Sequence, residues 1–122
     1  MITRARLLEL LANRDRIEPV TVDDATKPRL LAEYEGHECV AQCSPGDLVW
    51  RVPSSKPKEV WAAVVWFQPQ GGGAEVQGTR GALIQVEPAG NSFHGKLIEV
   101  EGSPRLERDD GECRGVVGVP AP

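Results

Sequence analysis

Residues 59–68 read EVWAAVVWFQ, and the stretch from Val60 to Phe67 is apolar throughout. A spanning helix needs roughly 18 such residues, whereas a run of this length bounded by polar residues and rich in valine and tryptophan has the dimensions of a strand. Side chains alternate along a strand. Val60, Ala62, Val64 and Trp66 therefore share one face, and Trp61, Ala63, Val65 and Phe67 share the other. Both faces are apolar, which leaves two arrangements. Either this is a central strand covered on both sides, with the N-terminal helices as the intramolecular cover, or one of its faces meets another chain.

The flanking segments read as further short strands. LVWRV (48–52) alternates, with Leu48, Trp50 and Val52 on one face, and so does ALIQVE (82–87), with Ala82, Ile84 and Val86 together. Each is expected to keep one wet face. HECVAQC (37–43) leads into the turn SPGD, and FHGKLIEVEG (93–102) follows the turn PAGNS. PQGGGAEVQGTRG reads as a glycine-rich connection, SPRLERDDGEC (103–113) as an acidic loop, and RGVVGV as a last short strand.

Before Gly36 the period changes. Thr3 is placed to cap a helix with Leu7, Leu8 and Leu11 on its apolar side. IEPVTVDD changes to a period of two, and Pro19, lacking an amide donor, makes it an edge strand or a merely extended segment. In TKPRLLAEYEG, Pro28 suits a first helical turn, Leu30, Leu31 and Tyr34 share a face, and Gly36 ends the helix. The expected fold is α+β and mainly β: a small five- or six-stranded antiparallel barrel or sandwich with one or two N-terminal helices. It forms one domain over 1–122, in which a helical and extended segment (1–35) packs on a β-rich body (36–119).

Composition narrows the function. Hydrophobic residues at 40% and charged residues at 26% describe an ordinary soluble domain. The net charge of −4 argues against a protein built mainly to neutralise phosphate. Arg4, Arg6, Arg14, Arg16, Lys27 and Arg29 cluster early, but Glu9, Asp15, Glu18, Asp23 and Asp24 lie among them. The leucine-rich start contains Glu9 and has no small-residue cleavage signal, so it reads as a folded helix and the expected location is the cytoplasm, or a virion assembled there. Cys39, Cys43 and Cys113 are accordingly expected as thiols.

Candidate sites fare poorly one by one. On an extended 37–43, Cys39 and Cys43 would lie roughly 13 Å apart at about 3.3 Å per residue, too far to share a zinc ion that binds sulfur at about 2.3 Å. His37 and Cys39 would point the same way about 7 Å apart, beyond hydrogen bonding. His94 sits at a turn-to-strand junction with no partner legible in the sequence. QGGGAEVQG lacks the Lys-Ser or Lys-Thr pair of a phosphate loop. Glu107, Asp109, Asp110 and Glu112 lack the spacing of a calcium loop. No cofactor or metal is expected.

PGDLVWRV and VWAAVV resemble the opening strands of SH3-like barrels, including PWWP-type domains. That resemblance implies a barrel begun by a Gly-Asp turn and aromatic residues arranged as a ligand cage. The connecting PSSKPKE carries no Pro-Trp-Trp-Pro element, and no binding residue is transferred. The expectation is a non-catalytic structural or assembly protein, a subunit of a larger complex such as a phage virion. Its partners would be protein subunits, as a homo-oligomer or larger assembly, with no membrane. Partner contacts are expected at Trp50, Trp61, Val65 and Phe67 and along the basic face at Arg4, Arg6 and Arg14. The alternative is an SH3-like adaptor for nucleic acid or protein.

Overall fold

The computed structural model describes residues 2–12, 17–34, 36, 40, 42–52, 54, 56–67, 79–111 and 113–115. Along the chain run α1 (Arg4–Ala12), β1 (Val20–Thr21), α2 (Lys27–Glu33), β2 (Leu48–Val52), β3 (Val60–Phe67), β4 (Thr79–Glu87), β5 (Ser92–Val100), β6 (Ser103–Arg108) and β7 (Cys113–Gly115). The strands form one antiparallel sheet in sequence order, β1 to β7, of which β1 contributes only two residues. Among the described residues β1 and β7 are the two edges and do not pair with each other, so the sheet is not closed.

The local signals explain both helices. Thr3 Oγ1 accepts the Arg6 N–H at 3.2 Å and the Thr3 carbonyl accepts that of Leu7, which starts α1. The turn before α2 is held by Asp23, whose Oδ1 accepts the N–H groups of Ala25 and Thr26 at 2.8 and 2.7 Å. Thr26 Oγ1 in return accepts the Asp23 N–H. Pro28 lies in the first turn of α2, and Gly36 ends it at φ +70°, donating its N–H to the Leu31 carbonyl.

The apolar run of β3 is a central strand covered on both faces by its own chain. Trp61, Ala63 and Val65 join Leu48, Trp50 and Val52 of β2, Leu83 of β4, Leu97 of β5 and Leu106 of β6 in one cluster sealed by Ile2, Leu7, Leu10 and Leu11. Ala62 and Val64 join Val49, Val86, Val22, Val40, Cys43, Leu30 of α2 and Tyr34 at its C-terminal cap on the other side. Leu7 and Leu11 are fully buried, each contributing about 2 kcal/mol.

Gly81 of β4 pairs with Gly95 of β5, and β5 lies so close to β6 that a Cβ on Gly95 would stand 2.0 Å from the Glu107 carbonyl oxygen.

Several sequence expectations are corrected. Val40 is helical and Gln42 lies in a turn, the Cys43 N–H donating to the Val40 carbonyl, so the described residues of 37–43 are not a strand. His37 and Cys39 lie outside the described residues. The supposed acidic loop contains β6, in which Pro104 and Leu106 are buried and alternate with Arg105 and Glu107. β4 keeps no wet face at its centre, since Leu83 and Gln85 are buried as well as Ala82 and Val86. The glycine-rich segment 68–78 lies outside the described residues. No helix among the described residues is long and apolar enough to cross a membrane.

Candidate functional site

The residues expected to meet a partner are distributed very differently from that expectation. Trp50, Trp61 and Val65 are at most 3% exposed, packed beneath α1, so they offer no surface from this fold. Phe67 pairs through its backbone with Thr79, and its side chain lies outside the described set. Trp61 is held by stacking on Phe93 at 5.9 Å between ring centroids, with the Arg108 guanidinium 4.3 Å from the Phe93 centre. Its indole N–H donates to Glu59 at 3.4 Å.

On the basic N-terminal face, Arg6 is paired with acidic neighbours. Arg6 donates through Nε to Glu99 Oε1 at 3.0 Å and pairs with Glu9 at 3.1 Å. Arg4 is exposed on α1, and Arg14 lies outside the described residues. The acidic run is divided between partners, Asp109 with Arg80 at 2.8 Å and Asp110 with Arg108, while Glu112 is outside the described residues. Among the described residues no three of His, Cys, Asp and Glu are grouped to hold a metal ion.

What remains is the outer face of the sheet, opposite α1. Among the described residues the α2-side cluster takes in β2, β3 and part of β4 and goes no further. Register places Arg80 and Ile84 of β4, His94, Lys96 and Ile98 of β5, and Arg105 and Glu107 of β6 together beyond that cluster, with Ala82 buried among them. Trp66 and Ile84 are half-buried and packed at the margin of the second cluster. Ile98 is half-buried, and Val100 is the exposed large hydrophobic residue of the described set.

Two clefts open on this side. The first, about 320 Å³, lies between α2 and the β1–β2 edge. Its polar groups satisfy one another: Arg29 pairs with Glu33 at 3.5 Å, and Arg51 donates to the Glu33 carbonyl at 3.2 Å while lying over the Tyr34 ring. The second, about 380 Å³, lies between the turn at residues 42–47 and the outer face of β3–β5. Val64, Ala82 and Ile84 line it as an apolar floor. Trp66 and His94, with ring centroids 6.2 Å apart, form one wall, and Cys43, Ser44 and Asp47 form the other.

Asp47 is positioned by its own turn. Its Oδ2 accepts the Ser44 N–H at 2.8 Å, and its backbone N–H donates to the Ser44 carbonyl. Burial pushes its carboxyl above the usual carboxylate range, and the Ser44 hydrogen bond only partly opposes this. Cys43 is a buried thiol in the same wall. Cys43 and His94 stand out in the sequence as candidates for metal or thiol chemistry, Trp66 as one of three tryptophans and a β3 residue, and Asp47 as part of the SPGD turn. Nothing in the spacing of these residues announces that they share a cavity.

Comparisons with protein-family models, with curated proteins and with solved structures find no match to this chain. The fold and the cleft are therefore the whole basis for a functional reading.

Proposed function

We propose that the chain is a non-catalytic assembly protein, a subunit of a larger complex of which a virion is one example, and that it docks on neighbouring protein subunits through the outer face of β4–β6. The observation that carries this reading is the uneven cover of the sheet. Among the described residues the α1-side cluster draws on five strands, whereas the α2-side cluster reaches only as far as β4. Half-buried Ile84 and Ile98 and exposed Val100 remain on the open part, interleaved with Lys96 and Glu107. Apolar surface rimmed by charge of both signs suits a protein partner better than a phosphate backbone.

Light scattering over a wide concentration range tests the proposal. The expected result is a defined homo-oligomer, and Ile98→Lys is expected to lower its mass while leaving the circular dichroism of the fold unchanged. A monomer at every concentration, or an oligomer indifferent to Ile98→Lys, would overturn the docking face.

A further inference from the structure

We infer that the cleft between the 42–47 turn and β3–β5 is a socket for an arginine side chain presented by the partner protein. The inference rests on the reading of this outer face as a docking surface and names the contact made there.

Three features of the cavity select that chemistry. Asp47 contributes a carboxylate whose only side-chain hydrogen bond is from the Ser44 N–H and which forms no ion pair with any described residue. A half-desolvated carboxylate of this kind is relieved most by a cation. Trp66 supplies an aromatic wall, and a planar guanidinium stacks on such a ring while pairing with a carboxylate, which an ammonium group does less well. The floor of Val64, Ala82 and Ile84 is apolar and fits the methylene stem that arginine carries below its charged head.

The neighbouring charges do not already fill this role. The guanidinium of Arg80 is bonded to both carboxylate oxygens of Asp109 at 2.9 and 2.8 Å. Lys96 stands opposite Glu107 in the β5–β6 register. Asp47 is thus the carboxylate left for an incoming cation within the cleft. Its raised carboxyl value agrees with a site designed to be occupied, since a bound guanidinium would return it towards the ordinary range.

The test is an NMR titration of the full chain with N-acetyl-arginine methylamide, using the lysine and citrulline analogues as comparators. Citrulline keeps the shape of arginine and removes its charge. The expected result is saturable shifts of the Trp66 indole N–H and of the Ser44 and Asp47 amides with the arginine probe. Binding of the citrulline probe is expected to be about tenfold weaker. Asp47→Asn keeps an acceptor for the Ser44 N–H and is expected to lose the preference for arginine over citrulline, and Trp66→Leu to weaken the arginine probe in a cleft whose carboxylate is intact. Equal binding of arginine and citrulline, tighter binding of lysine, or no saturable shift would overturn the assignment. An oligomer that forms normally but ignores the probe would sink the socket and leave the docking face standing. A monomer that binds the probe would do the reverse.

Discussion

Gly95 shows how much one missing side chain decides. A Cβ there would sit 2.0 Å from the Glu107 carbonyl oxygen and 2.8 Å from the Arg108 Cα, both parts of a backbone that cannot swing aside. Gly95→Ala is expected to cost about 3 kcal/mol. Gly81→Ala, whose new methyl would meet the Leu97 side chain at 3.3 Å and the Val64 carbonyl oxygen at 3.4 Å, should cost under about 1 kcal/mol. Urea unfolding of the two variants compares them, and equal losses would refute the close approach of β5 to β6. Tyr34, the one tyrosine of the chain, offers a second residue-level test. Burial pushes its phenol up to about 12 from 10.0, with Arg51 pulling partly back. A folded value above the unfolded one means that the contribution of the neutral phenol is complete below pH 10 and is lost as pH climbs towards 12. The wild type should therefore lose stability across that window more steeply than Tyr34→Phe, as followed by unfolding midpoints alongside tyrosinate absorbance.

The two helices do different work. α1 seals a cluster drawn from five strands and contributes Leu7 and Leu11 with no exposed surface. Leu11→Ala is expected to cost about 3 kcal/mol and to shift tryptophan emission to longer wavelength, because Trp50 and Trp61 lie beneath it. In a Trp66→Phe background, which removes the tryptophan packed on the α2 side, Leu30→Ala in α2 should cost a comparable amount but leave the emission of Trp50 and Trp61 unchanged, since those two belong to the α1-side cluster. Matching fluorescence changes in both variants would contradict the two-sided cover. The entry to α2 also carries a pH signature. Hydrogen bonds from Thr26, first through its backbone and then through its side chain, hold the Asp23 carboxyl below its ordinary value. The stabilisation is present above that ordinary value of 3.8 and lost as pH falls through the lower folded one. Asp23→Ala should narrow its stability gap to wild type in acid, and a gap independent of pH would remove Asp23 from that role.

At the scale of the molecule, the two faces of the sheet are covered unequally among the described residues: the α1-side cluster draws on β2 to β6, whereas the α2-side cluster stops at β4. The proposed docking face on β4–β6 rests on that asymmetry, and the loss of oligomer mass expected of Ile98→Lys belongs to this level. Nor is the sheet a closed barrel, since β1 and β7 remain unpaired edges among the described residues.

Pattern alone located β2 and β3, because LVWRV and VWAAVVWF carry their period in plain apolar residues, and it placed both helices through Thr3, Pro28 and Gly36. β6 escaped because charge dominates SPRLERDDGEC, and the buried alternation of Pro104 and Leu106 shows only when Leu97 and α1 are seen to cover it. HECVAQC alternates like a strand, yet Val40 is helical, and Val40 and Cys43 are buried in the α2-side cluster. The cleft was less legible still. Asp47, Trp66 and His94 come from a turn and two strands that only sheet register aligns. What the sequence by itself determined was that Val60 to Phe67 needs cover on both faces. Which side chains would be spent on that cover was a tertiary decision. Burial depends on where α1 and α2 land: they consumed Trp50, Trp61 and Val65, and left Trp66 and Asp47 facing a cavity.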